Sequence, residues 1–206
     1  MSKPLSSVNT LVPLLDDVRK QIGESIAVKR ALLDDEKLVR QVGALVEACV
    51  KSLRAGGKVI FAGNGGSFAD AQHLSAEFTS RFLFDRMPLA SLALGTNNSA
   101  ISAVGNDYGY EQVFARELQG IAKPEDVFIP ISTSGESPNI ICAVEVANTM
   151  RLTVVGLTGQ GGGRLAELCE CIRAPATETA RIQECHILLG HIVCGLVEQR
   201  MFRAAS

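Results

Sequence analysis

Two short loops and four polar side chains in this sequence have the types and spacing that anion binding and proton transfer require. Gly63-Asn64-Gly65-Gly66-Ser67 follows a short apolar run and leads into a helical pattern. Its glycines let backbone N–H groups approach an anion, and the helix behind them supplies its positive end. Ser132-Thr133-Ser134-Gly135-Glu136-Ser137 follows a second apolar run, with four hydroxyls as neutral donors and a glycine turn ahead of a helix. One Gly-rich loop can be a tight turn with an N-cap. Two of them, each at the end of a strand-like run, point to phosphate.

His73 and Glu77 stand four residues apart on the helix after the first loop, which puts an imidazole and a carboxylate on one face. The same spacing is common in surface ion pairs. Gln183 and His191, eight apart near the C-terminus, lie about 80° apart around a helix axis and can point toward one pocket. His186 lies about 140° round from His191 and is expected to pack or hydrogen-bond elsewhere.

The elements that must position these groups follow from hydrophobic periodicity. Leu38, Val42, Leu45, Cys49 and Leu53 recur at three- and four-residue steps until Gly56-Gly57, so two or three helices are expected over 8–55. Strands are expected at 58–62, 89–94, 127–131 and 153–157, with a weaker one at 171–174. Helical stretches separate them, the first running to about Phe82. A long helix over about 177–202 closes the chain, its start signalled by Thr177 with acidic Glu178 in the first turn. Alternating strands and helices imply right-handed crossovers. The expectation is an α/β fold: a three-layer sandwich around a doubly wound, five-stranded parallel sheet, preceded by N-terminal helices. A chain of 206 residues fits one domain, with 1–55 as the helical extension and 56–206 as the core.

Composition removes several classes of function. The chain is 47% hydrophobic but only 5% aromatic, as suits a core of Val, Ile, Leu and Ala around a parallel sheet. Twenty Lys and Arg stand against 22 Asp and Glu with no basic run, so no nucleic-acid partner is expected. Six cysteines without a C-x-x-C pair read as reduced, buried thiols. No signal peptide is evident and no stretch of about 18 apolar residues occurs, so the expected setting is cytoplasmic, with no membrane partner. A dinucleotide fold is disfavoured. Phe68 stands where a third glycine would pack helix on strand, and no acidic residue ends the second strand, which runs into Gly95-Thr96.

Residues 58–202 resemble the phosphoheptose isomerases of the sugar-isomerase (SIS) domain superfamily. The resemblance is carried by the first loop, Asp70-Ala-Gln-His73, Glu77, Arg81-Phe82, Val104-Gly-Asn-Asp107, the serine-rich loop, Leu157-Thr-Gly159, and Arg181-Ile-Gln-Glu184 through His191. It implies an aldose-ketose isomerase converting sedoheptulose 7-phosphate to D-glycero-D-manno-heptose 7-phosphate, for nucleotide-activated heptose in lipopolysaccharide or another surface glycan. By the same resemblance Asn64, Gly65, Gly66, Ser67, Ser132, Thr133, Ser134 and Ser137 hold the phosphate. Asn106, Asp107 and Gln183 orient the sugar, with Glu77 also in contact with it. Glu77 and His191 form the acid/base pair, and His73, Glu77, Gln183 and His191 bind zinc, one ion per subunit. The N-terminal helices contribute to a homotetramer with active sites between subunits. Phe68 and Ala76 depart from some relatives, which leaves the reaction intact but puts substrate detail in doubt. An isomerase acting on another ketose phosphate is one alternative. A non-catalytic regulator, like the relative that associates with the DnaA initiator, is another; that relative does not retain the Glu and His positions, whereas both are present here.

Overall fold

The computed structural model describes residues 8–203. Helices α1 (Val8–Asp34) and α2 (Glu36–Arg54) precede strand β1 (Val59–Gly63). Asp35 separates the two helices and caps the second: its carboxylate accepts the N–H groups of Lys37 and Leu38, each at 3.0 Å. Leu38, Val42, Leu45, Val46, Cys49 and Val50 form the buried face of α2, and Gly56 ends the turn beyond it at φ 82°.

The chain then alternates: α3 (Gly66–Thr79), β2 (Ser91–Ala93), α4 (Asn98–Tyr108), a 3-10 turn (Tyr110–Gln112), α5 (Val113–Ile121), β3 (Val127–Ser132), α6 (Pro138–Thr149), β4 (Thr153–Thr158), α7 (Leu165–Leu168), β5 (Glu170–Arg173) and α8 (Thr179–Phe202). All five strands are parallel, in the order β2-β1-β3-β4-β5. Every β1 residue is buried, as both faces of a covered parallel sheet require. Strand alternation divides the core: Val59 and Phe61 pack with α2, α3 and α8, whereas Ile60 and Ala62 pack with α5 and α6. This is the three-layer, doubly wound architecture expected from the sequence.

Strand order reverses between β1 and β3, and Gly63 of β1 stands in register with Ile131 of β3. The two loops rich in anion donors therefore leave the sheet side by side at its carboxyl edge, where doubly wound sheets bind ligands.

Some details differ from the sequence reading: β2 covers only Ser91–Ala93 of the expected 89–94, and β1 and β5 are each displaced by one residue. Helix α3 stops at Thr79 rather than Phe82, because the Arg86 guanidinium takes the carbonyls of Glu77 (2.7 Å), Phe78 (2.7 Å) and Ser80 (3.2 Å) that further turns would have used. Helix α8 begins at Thr179 with Glu178, not Thr177, at the N-cap, and no side chain caps it. Cys49, Cys171, Cys185 and Cys194 are buried as expected, but Cys142 and Cys169 are partly exposed. Among the described residues no helix is long and apolar enough to cross a membrane.

Candidate active site

The first loop turns sharply so that α3 starts directly over the end of β1. A side chain on Gly63 would collide with the Ser67 backbone, and Gly65 takes φ 55° at the N-cap of α3. The first N–H groups of a helix have no partner within it, so Gly66 and Ser67 present donors at the positive end of a 14-residue helix. The Asn64 side chain faces the first turn of α6. Its amide and that of Asn139 exchange two hydrogen bonds, 2.8 Å and 2.9 Å, and the Tyr110 hydroxyl donates to Asn64 Oδ1 at 3.3 Å. Asn64 thus ties the first loop to the start of α6, just past the serine-rich loop, a use its place in a Gly-rich motif does not reveal.

The serine-rich loop is braced by its own hydroxyls. Ser132 Oγ accepts the Gly135 N–H at 3.1 Å and lies 3.1 Å from Ser137 Oγ, while Ser134 Oγ accepts the Glu136 N–H at 3.1 Å. Ser134 keeps its hydroxyl proton to donate to an anion, and of Ser132 and Ser137, which share one O–H···O bond, one does so as well. The loop after β4 supports it from behind: Gly159 N–H bonds Thr133 O at 3.1 Å, and Leu165 N–H bonds Gly135 O at 2.9 Å. Gly135, at φ 71°, lies so close to the Gly162 carbonyl that no side chain fits.

About two turns along α3, the groups expected to share chemistry meet. His73 Nε2 lies 2.8 Å from His191 Nε2 and 3.3 Å from Glu77 Oε1. The donor atoms of His73, Glu77 and His191 all fall within 4.8 Å of one another. Two imidazoles and a carboxylate converging from α3 and α8 are an ordinary donor set for zinc, and the facing ring nitrogens otherwise share a single proton. Gln183 is placed differently from the other three: its amide lies against Gly66 at the head of α3. There it faces the phosphate loop rather than the trio. Asn106 and Asp107 are exposed on α4, 2.8 Å apart, and bond neither loop among the described residues.

Burial shapes the electrostatics around the trio. Asp70, one turn before His73, has its carboxyl pushed up by burial, against an opposing pull from His73, and its Oδ2 is buried without a hydrogen-bond partner among the described residues. His186 is fully buried, with Nε2 3.2 Å from the Thr158 carbonyl; burial lowers its pKa to about 4, so it is neutral at physiological pH. It faces away from the trio, as its angular position required.

A clamp that the sequence reading missed holds the trio in place. Phe82 stacks on His191, centroids 5.5 Å apart and planes 21° from parallel. Glu198 accepts the N–H groups of Phe82 (2.8 Å) and Leu83 (2.7 Å) and the Arg86 guanidinium (2.9 Å). Arg86 in turn binds the carbonyl of Glu77. The available signal was spacing: Glu198 follows His191 by seven residues, two turns on the same face of α8. Nothing local marks Asn139, which follows the helix-starting Pro138.

A family model described as the SIS domain matches residues 26–159. The phosphoheptose isomerase of Aneurinibacillus thermoaerophilus is 51% identical over 189 residues, covering 91% of this chain and 96% of that protein. Among solved structures, phosphoheptose isomerase from Neisseria gonorrhoeae superposes with a TM-score of 0.84 at 39% identity, covering 90% of this chain and 99% of that one. The enzyme from Francisella tularensis gives 0.85 at 34% identity, with 90% and 98% covered. On this sequence and structural likeness, the chain belongs to the phosphoheptose isomerase family of SIS-domain proteins.

Proposed function

We propose that this chain is a cytoplasmic enzyme that interconverts sedoheptulose 7-phosphate and D-glycero-D-manno-heptose 7-phosphate, a step toward nucleotide-activated heptose for lipopolysaccharide or another surface glycan. The observation that carries the reading is the pairing of two anion-binding loops at the sheet's switch point with an imidazole–carboxylate trio farther along the same helix. Family membership supports it.

Moving a carbonyl between C2 and C1 requires transfer of a proton between those carbons through an enediol, and a second transfer between their oxygens. Glu77 takes and returns the carbon-bound proton. Its Oε1 faces His73, and Oε2 remains for the substrate. His191 moves the proton between oxygens, its ring plane set by Phe82. Gly65, Gly66, Ser67, Ser132, Thr133, Ser134 and Ser137 hold the phosphate, which orients the sugar and lowers the entropic part of the barrier. Gln183, beside the phosphate loop, orients the hydroxyls together with Asn106 and Asp107.

His73, Glu77 and His191 fit a zinc ion, and we propose Gln183 as its fourth ligand. When bound, the ion supplies a Lewis acid for the sugar oxygens. A metal-bound Glu77 would be a weaker base, since the ion competes for its lone pairs. With purified protein we expect aldose formation from sedoheptulose 7-phosphate and none from unphosphorylated sedoheptulose. Chelator-stripped protein should lose activity and regain it with zinc. Equal turnover of the unphosphorylated sugar would sink the phosphate site, and full activity in protein shown to be metal-free would remove zinc from the mechanism.

We further propose a homotetramer with active sites between subunits. Helix α1 exposes Leu14, Leu15, Val18, Ile22 and Ile26, and Ile192 and Leu196 are exposed on α8 beside His191. Apolar stripes of this kind in a helix that the core does not need are ordinary subunit contacts. Light scattering at micromolar concentration should return four times the chain mass. A monomeric mass rejects the assembly and leaves the isomerase reading standing.

A further inference from the structure

Cys169 and Cys171 flank Glu170 where α7 gives way to β5, and neither takes part in the isomerase site. Extended backbone puts alternate residues on one face, and these two thiols turn toward each other with Sγ atoms 3.9 Å apart. The two differ in environment. Cys171 is 7% exposed and lies in the sheet ladder opposite Gly156, where any larger residue would crowd its sulfur. Cys169 precedes the ladder and is partly exposed, and both cysteines line a groove of about 420 Å³ together with Leu38, Gln41, Ala166 and Arg173.

We propose that Cys169 and Cys171 are a thiol–disulfide exchange site that reacts with low-molecular-weight disulfides and closes to an intrachain disulfide. In the first step the Cys169 thiolate attacks one sulfur of the small disulfide. An S–S bond forms to Cys169, the original S–S bond breaks, and one thiolate leaves and takes up a proton. In the second step Cys171 gives up its proton and attacks the Cys169 sulfur, expelling the other small thiol. Two protein thiols are oxidised and one small disulfide is reduced to two thiols.

The order of attack follows from environment. The contact between the two sulfurs lowers the Cys169 pKa, while the same contact and burial raise that of Cys171. A partly exposed thiol beside a more deeply buried one is the arrangement of attacking and resolving cysteines. Closure meets little resistance from the sheet. Pairing begins at Glu170, and among the described residues β5 is an edge strand of the sheet. The short loop strains the product, which keeps it easily reduced.

The test uses the full-length protein, first reduced, then equilibrated in oxidised glutathione and read by intact mass and tryptic mapping. The expected result is loss of two hydrogens and of two of the six free thiols. The bond should lie within the single tryptic peptide 165–173 and be reversed by excess reduced glutathione. Cys171→Ser should stop at a stable glutathione adduct on Cys169, and Cys169→Ser should give no adduct on this peptide. The proposal is overturned if all six thiols survive, if oxidation falls on Cys142 instead, if Cys169 links to a second chain, or if Cys169→Ser is modified at Cys171.

Discussion

Glu77→Gln should lower turnover by about 100-fold or more while the protein remains folded, because loss of a positioned general base commonly costs 10²–10⁴ in rate. The change keeps the shape of the side chain and a group able to bond His73, which lies 3.3 Å away, but removes the basic oxygen. Both phosphate loops are untouched, so the loss should fall on kcat with KM little changed. His191→Ala should cost as much, by removing the imidazole that faces His73 at 2.8 Å. Steady-state kinetics with sedoheptulose 7-phosphate, beside thermal melts to confirm folding, decide the matter. Near-wild-type kcat in either variant would assign that residue a structural role only.

Glu198→Ala should cost about 3–5 kcal/mol of stability, the usual consequence of removing one partner of a buried ion pair. The side chains of Arg86 and Glu198 are 3% and 1% exposed, so the guanidinium would be left without a counter-charge, and the Phe82 and Leu83 N–H groups would lose their acceptor. By contrast Arg40→Ala, which breaks the exposed pair with Glu36 at 3.4 Å, should cost under about 1 kcal/mol. Burial alone would raise the Glu198 pKa, but the two N–H donors and Arg86 outweigh it and hold the carboxyl below its usual value. A depressed folded-state pKa means the stabilisation is complete above the unfolded-state carboxyl pKa and is lost as pH falls through the lower folded value. Urea titrations of the variants measure the difference. A Glu198→Ala midpoint close to that of Arg40→Ala would show that the clamp is energetically idle.

The parts of this molecule legible in its sequence are those set by neighbours in the chain. Val59 to Gly63 reads as a strand because an apolar β-rich run meets glycine, and His73 and Glu77 share a face because four residues make about one helical turn. The parts that were not legible depend on residues far away. Helix α3 ends where Arg86 reaches its carbonyls, and Asn64 turns toward Asn139, 75 positions later. Gln183 and His191 were both placed toward one pocket by their angular spacing, yet eight residues also separate them by about 12 Å of rise, and the structure sets one against Gly66 and the other against His73. Angle around a helix was readable from spacing. Which neighbour each level of the helix meets was not.

That separation along α3 makes the helix a length gauge. Gly66 and His73 are seven residues apart, about 10 Å at 1.5 Å per residue, so a substrate anchored by phosphate at the head of the helix reaches the trio only if its carbon chain is long enough. A shorter ketose phosphate held at the same anchor would present its carbonyl above the trio instead of within it. Selection by chain length would then be a property of backbone pitch, which side-chain substitutions leave unchanged and which only gaining or losing residues within α3 would rescale.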